Sequence, residues 1–146
     1  MRASITLCSD GAELSQLGAF AEAFARSCGL PDEERARLLI ILEELFTNVV
    51  AHGYKGRSAA GSVAVGLGWR NGRVTIDFVD DGRPFDPLAR AGPDLNMPGE
   101  ERPIGGLGIR IVRALVDEAH YRREGVRNHL HLMRQVAPGT KNAAPR

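Results

Sequence analysis

A run of apolar residues between Leu38 and Val50 constrains the fold more than any other part of the chain. A helix that is apolar on nearly every face is expected in a protein core. Yet Glu44, Asn48 and His52 recur at intervals of four residues, so they form one polar stripe on this helix. Burying a carboxylate or an amide costs roughly a few kcal/mol unless the group finds a partner. The sequence therefore predicts a buried helix whose polar stripe meets a ligand or another polar group.

Length and charge limit the classes of protein to which the chain can belong. At 146 residues it is long enough for one domain with its own core, which we place at residues 1–136, with a flexible polar tail at residues 137–146. The formal net charge of +1 gives no electrostatic reason to expect contact with nucleic acid or a membrane. The sequence contains no run of about 18 apolar residues and no signal peptide, so we expect a cytoplasmic protein.

Hydrophobic periodicity predicts the other elements and the fold class. Two alternating segments, residues 62–69 and 73–79, are separated by Asn71 and Gly72, a strong hairpin signal. Hairpins, rather than alternating strand-helix-strand units, favour an α+β fold: a two-layer α/β sandwich with helices on one face of a mostly antiparallel sheet. Further strands are predicted at residues 4–8, 121–124 and 128–134, and helices at residues 12–28, 31–52 and 107–117.

Two short motifs flank a long segment rich in proline and glycine, residues 83–103, which has the composition of a functional lid or a disordered loop. Asp80, at a strand end and followed by Asp81 and Gly82, is either a turn cap or an acceptor for an exocyclic amine, with the glycine admitting a planar ring. The second motif opens a helix and is either an ordinary loop or a phosphate cradle; it consists of Gly105, Gly106, Leu107 and Gly108.

The residues of the polar stripe also allow two interpretations each. Asn48 is either a core amide bonded to a carbonyl or an oxygen ligand for a hard cation such as Mg²⁺. Glu44 is either a buried acid paired with an arginine or a general base. For His52 we favour a structural role at the helix end, near Gly53.

Together, E-x-x-x-N on a buried helix, D-x-G after a strand and G-G-L-G opening a helix resemble the nucleotide site of the GHKL superfamily. That superfamily includes gyrase, the mismatch-repair ATPases and the histidine kinases. Closer still, three segments resemble the small bacterial anti-sigma factor serine kinases, and the similarity covers nearly the whole chain. These segments are residues 44–54 (ELFTNVVAHGY), 80–87 (DDGRPFDP) and 105–112 (GGLGIRIV).

The resemblance implies a Bergerat-type ATP-binding fold with ATP and Mg²⁺ as cofactors. By that resemblance Asn48 would ligate Mg²⁺, Asp80 would bind the adenine amino group, and Gly82 would flank the base. Glu44 would deprotonate the acceptor hydroxyl. The residues in contact with the phosphates would be Gly105, Gly106, Leu107 and Gly108. The loop between the two short motifs would form an ATP lid.

The activity implied is that of a serine/threonine-protein kinase that regulates transcription as an anti-sigma factor. The phosphate acceptor would be a serine on a STAS-fold anti-anti-sigma protein. The chain would form a homodimer and hold a sigma factor inactive, without touching nucleic acid or a membrane directly. The motifs indicate nucleotide binding alone, so an ATP-binding partner-switch module without kinase activity remains the alternative.

Overall fold

Five antiparallel strands form one sheet, and α-helices lie against one of its faces, in the computed structural model of the protein. The structure describes residues 1–54, 61–89 and 106–137. Within these residues the spatial order of the strands is β1-β2-β3-β5-β4. The elements are β1 (Arg2–Cys8), α1 (Leu14–Cys28), α2 (Asp32–His52), β2 (Ser62–Arg70), β3 (Arg73–Asp80), α3 (Gly106–Leu115), β4 (Glu118–Glu124) and β5 (Arg127–Gln135), with short 3₁₀ turns at Gly11–Glu13 and Pro87–Ala89.

This architecture confirms the predicted α+β sandwich. The β2–β3 hairpin turns through Asn71 and Gly72, whose φ angles of 52° and 77° are the left-handed values that such a tight turn requires. Residues 90–103 of the predicted lid and residues 138–146 of the predicted tail lie outside the described residues. Among the helices in the described ranges, none is long and apolar enough to cross a membrane.

Helix α2 runs through the centre of the helical layer and carries much of the core. Its innermost side chains are at most 3% exposed: Leu38, Ile41, Leu42, Leu45 and Phe46. The sequence predicted Pro31 as the first residue of this helix. In the structure Pro31, with φ −60° and ψ 157°, precedes the first helical residue. The helix is also less enclosed than its sequence suggests, because Ile40 is 40% exposed and Glu43 lies on the same outer strip.

A partly buried ion pair fixes α2 and α3 antiparallel to each other. Arg134 on β5 donates from Nε and Nη2 to the two carboxylate oxygens of Glu34, at 2.7 and 3.0 Å, in the first turn of α2. The same guanidinium donates from Nη1 to the carbonyl of Leu115 at the end of α3, at 2.6 Å. The start of α2 is therefore held beside the end of α3, which brings the end of α2 to the start of α3.

We expect Glu34→Gln to lower the free energy of unfolding by about 1–3 kcal/mol at neutral pH, because it leaves a largely buried guanidinium short of its charged partner. The Arg134 guanidinium lowers the pKa of Glu34, so the pair stabilises the fold above the unfolded carboxyl pKa of about 4.3 and that stability is lost as pH falls through the lower folded value. Urea unfolding across this pH range measures the difference. Glu33→Gln is the matched control, since the Glu33 side chain is 84% exposed. A pH-independent loss would contradict this account.

Candidate functional site

A pocket opens where the end of α2 meets β3 and β5. Its walls are mostly apolar, and its polar side chains are Asn48, Asp80, Tyr121 and Asn128. An apolar cleft with a few convergent polar groups is typical of a small-molecule site. The complete lining is Leu45, Asn48, Val49, Gly53, Phe78, Asp80, Phe85, Pro87, Tyr121, Asn128 and Leu130.

The carboxylate of Asp80, the last residue of β3, lies at the base of this pocket and is 6% exposed. Its Oδ1 accepts hydrogen bonds from the backbone N–H of Gly82 and from Nδ2 of Asn128, each at 2.9 Å. Its Oδ2 receives no hydrogen bond from any residue in the described ranges. Burial raises the pKa of Asp80, and the two donors oppose that rise. One carboxylate oxygen is thus anchored, and the other has no hydrogen bond within the described residues.

Asn128 is a residue of the pocket that the sequence patterns did not identify. It is 4% exposed and lies on β5 directly opposite Asp80 on β3. Its Nδ2 also donates to the carbonyl of Arg83 at 2.9 Å, and its Oδ1 accepts from the hydroxyl of Tyr121 at 2.5 Å and the N–H of Phe85 at 3.3 Å. This network fixes the position of the Asp80 carboxylate.

The second acid of the motif has a structural role instead. Asp81 Oδ1 accepts from the Tyr54 hydroxyl at 2.7 Å and from the N–H of Ser62 at 2.9 Å, so it joins the end of α2 to the start of β2. Burial and the nearby carboxylates raise the pKa of Tyr54, which keeps its hydroxyl protonated as a donor. The predicted turn cap occurs at Asp80, whose Oδ1 accepts from the N–H of Gly82, and the bond from Asp80 to an exocyclic amine stays a prediction.

Gly82 allows two backbone segments to approach closely. A Cβ at this position would lie 2.6 Å from the carbonyl oxygen of Gly53 and 2.9 Å from Asp80 Oδ1. The N–H of Arg83 bonds the same Gly53 carbonyl at 2.9 Å, which holds the turn against the end of α2. Gly82 does not line the pocket, so its observed contribution is to shape the turn that carries Asp80.

The amide of Asn48 enters the pocket from α2 and is 9% exposed. Its side chain makes no hydrogen bond with the part of the chain that the structure describes. Buried polar groups are almost always bonded to protein or to ordered solvent, so the partner of this amide lies outside the described residues. The core interpretation, an amide bonded to a neighbouring carbonyl, does not hold among the described residues.

Glu44, half-buried one helical turn before Asn48, contacts the first turn of α3. A Cβ at Gly108 would collide with the Glu44 carboxylate, so the glycine is what lets this carboxylate approach α3. The positive end of a helix favours a carboxylate there. No arginine or lysine in the described ranges pairs with Glu44, which disfavours the interpretation of a salt-bridged core acid.

Of the three remaining predicted phosphate-binding residues, the structure describes two. Gly106 and Leu107 begin α3, beside Gly108, and the Leu107 side chain is 61% exposed. Gly105 lies outside the described residues. His52 ends α2 and stacks on Phe85, with ring centroids 5.3 Å apart and an interplanar angle of 21°, as its predicted structural role requires.

Comparisons with known proteins find a family model and curated relatives that are similar to the chain. Residues 8–134 match the histidine kinase-like ATPase domain. The serine-protein kinases RsbW of Bacillus cereus (strain AH820) and Bacillus anthracis are each 31% identical to the chain over 98 residues, 64% of this chain and 60% of theirs. The chain thus spans about three fifths of the length of these curated relatives.

Solved structures share the fold at low sequence identity. A Mycobacterium tuberculosis protein with RsbU and RsbW domains superposes with a TM-score of 0.64 at 17% identity, covering 92% of this chain and 32% of that one. The histidine kinase domain of a blue-light activated kinase from Erythrobacter litoralis gives 0.52 at 21% identity, covering 87% and 61%. At these identities the two structures support the fold alone.

Proposed function

The chain belongs to the histidine kinase-like ATPase domain family, and from this premise we propose that it binds ATP with Mg²⁺ and transfers the γ-phosphate to a serine of a partner protein. The similarity to the RsbW serine-protein kinases confirms the family resemblance predicted from the motifs. By the same resemblance the partners we propose are a sigma factor and a STAS-domain anti-anti-sigma protein, and the working form is a homodimer.

The observation that carries the proposal is a pair of buried polar groups without partners in one apolar pocket. Asp80 and Asn48 both line it, and neither the Oδ2 atom of Asp80 nor the side-chain amide of Asn48 is hydrogen-bonded by the described residues. An adenine ring matches this arrangement, because its exocyclic amine donates and its faces are apolar. We place the amine at Asp80 Oδ2 and the ring against Phe78 and Leu130.

The phosphates then extend from the pocket toward the first turn of α3, where backbone N–H groups point outward and the helix dipole favours negative charge. We assign phosphate contacts to Gly106, Leu107 and Gly108, and to Gly105 by the resemblance. The Asn48 side-chain oxygen would hold Mg²⁺, which prefers oxygen ligands shared with phosphates. When bound, this ion supplies neutralising charge at the phosphates.

Glu44 is placed to act as the base. It lies one turn of α2 from Asn48 and contacts α3 at Gly108, so its carboxylate faces the region that we assign to the terminal phosphate. In the proposed step the serine oxygen attacks the γ-phosphorus, the bond to the β-phosphate oxygen breaks and ADP leaves. Glu44 accepts the proton of the serine hydroxyl as the new bond forms.

A substrate protein has to cover this part of the surface to bring a serine to Glu44. Exposed apolar side chains surround the point of contact between α2 and α3: Ile40 lies one turn before Glu44, Leu107 precedes Gly108, and Ile111 follows it by one turn. Exposed apolar side chains close together are typical of protein interaction sites. We propose that the phosphorylated partner docks here.

Incubation of the chain with labelled ATP and a cognate STAS-type partner tests the proposed transfer. We expect a phosphoserine on the partner, with phosphate lost from ATP in equal amount. Retained ATP binding with no phosphoserine would instead support the partner-switch module. Absence of ATP binding would refute both the kinase and the partner-switch module.

We expect Asn48→Ala to reduce the affinity for ATP by about 10- to 100-fold in the presence of Mg²⁺ and to change it much less without the metal. The physical reason is that the substitution removes the oxygen assigned to the ion and leaves the adenine contacts in place. Isothermal calorimetry with and without Mg²⁺ measures both affinities. Thr47→Ala, a change of an exposed neighbour on α2, is the control. Metal-independent ATP binding by the parent protein would refute the ligand role.

A further inference from the structure

Three arginines stand together at one end of the sheet face that the helices leave open. Arg2 on β1, Arg70 on β2 and Arg73 on β3 line one wide groove, which we call the arginine groove. Side chains alternate across the sheet, and the buried residues of β2 and β3 face the helices, so these arginines point to the opposite face. No residue that lines the groove is acidic.

The placement of these charges is unfavourable for the isolated chain. Arg70 and Arg73 are directly opposite each other across the hairpin, and like charges in that position destabilise a sheet. None of the three groove arginines forms an ion pair within the described ranges, and Arg73 bonds only the side-chain oxygen of Gln135, at 3.3 Å. Of the ten other arginines in the described ranges, half pair with carboxylates: Arg26, Arg35, Arg37, Arg122 and Arg134.

From this we infer that the arginine groove binds an acidic segment of a partner protein. Guanidinium groups pair with carboxylates through two parallel hydrogen bonds, and such pairing would relieve the repulsion between Arg70 and Arg73. The charges lie on three adjacent strands and span about 10 Å from β1 to β3, which suits several carboxylates on one chain better than a single small anion.

A protein partner fits better than nucleic acid because the formal net charge of the whole chain is only +1. Nucleic-acid binding draws its affinity from many cations along the phosphate backbone and usually needs a strongly basic surface. The groove and the pocket beside Asp80 have no residue in common, so this inference stands or falls separately from ATP binding.

Nuclear magnetic resonance titration of the full ¹⁵N-labelled chain tests the inference. The probe is an end-blocked peptide of alternating glutamate and glycine, and its glutamine counterpart is the control, both at constant ionic strength. We expect saturable shifts of the side-chain Nε–H signals of Arg2, Arg70 and Arg73 with the glutamate peptide alone. Absence of saturable shifts would overturn the inference, as would tighter binding of a single-stranded oligonucleotide at the same signals.

Substitutions separate binding from folding. The double change Arg70→Gln with Arg73→Gln should weaken binding of the glutamate peptide about tenfold, while Arg26→Gln on α1 should leave it unchanged. Arg73→Glu should abolish binding yet leave the midpoint of thermal unfolding unchanged or higher, because it places opposite charges across the hairpin. Equal weakening by Arg26→Gln would mean nonspecific charge attraction and would overturn the inference.

Discussion

Asp80→Asn is expected to lower the affinity for ATP by at least about 100-fold and to turn the preference of the pocket toward inosine triphosphate. The substituted amide has one orientation that suits its surroundings. Its oxygen has to accept from the N–H of Gly82 and from Nδ2 of Asn128, as Asp80 Oδ1 does now. Its NH₂ group must then replace Oδ2 and face the pocket.

A donor in that position opposes adenine and suits hypoxanthine. The exocyclic amine of adenine would meet another N–H group, which leaves two buried donors unbonded. Hypoxanthine carries a carbonyl at the same ring position and would accept from the new amide. Burial raises the pKa of Asp80 because it disfavours the charged carboxylate. A hydrogen bond from the amine of adenine stabilises that charge, and the neutral asparagine has no charge to be stabilised in this way.

Competition between ATP and inosine triphosphate for one fluorescent nucleotide measures the change in preference. Asp81→Asn is the matched control, because Asp81 bonds Tyr54 and Ser62 and does not line the pocket. That variant should be less stable with an unchanged ratio of the two affinities. Unaltered ATP affinity in Asp80→Asn would exclude Asp80 from recognition of the base.

The sequence predicted those parts of the site that local periodicity determines. The spacing of Glu44 and Asn48 on one helix places both on one stripe wherever the helix packs, and Asp80 follows from the end of an alternating strand. The hairpin turn at Asn71 and Gly72 is equally local, because these two residues adopt the positive φ angles that a tight turn between twisted strands requires.

Contacts between distant segments could not be predicted in this way. Asn128 meets Asp80 only because β5 pairs with β3, and nothing in the pattern of β5 indicates that its register sets Asn128 opposite that carboxylate. Arg134 and Glu34 are separated by 100 residues, and their pair depends on how the helical layer rests on the sheet. Periodicity describes the faces of an element and does not say which other element covers them.

Glu44→Gln is expected to reduce phosphoryl transfer by about 10²- to 10⁴-fold while leaving ATP affinity within a few-fold of the parent protein. Glutamine has nearly the same shape as glutamate, so the close contact with Gly108 is kept. It cannot accept the proton of the serine hydroxyl, however, and the contribution of the base is lost. Because Glu44 does not line the pocket that we assign to adenine, the contacts with adenine should persist.

Glu43→Gln provides the matched control for this prediction. It makes the same chemical change one residue earlier, on the exposed strip of α2, and should transfer phosphate at nearly the parent rate. Single-turnover measurement of phosphoserine formation with saturating ATP separates transfer from binding. If both variants transferred phosphate at the parent rate, the Glu44 carboxylate would be a capping group for α3 rather than a base. If both lost transfer equally, the charge of this part of α2 would matter for partner docking and not for proton removal.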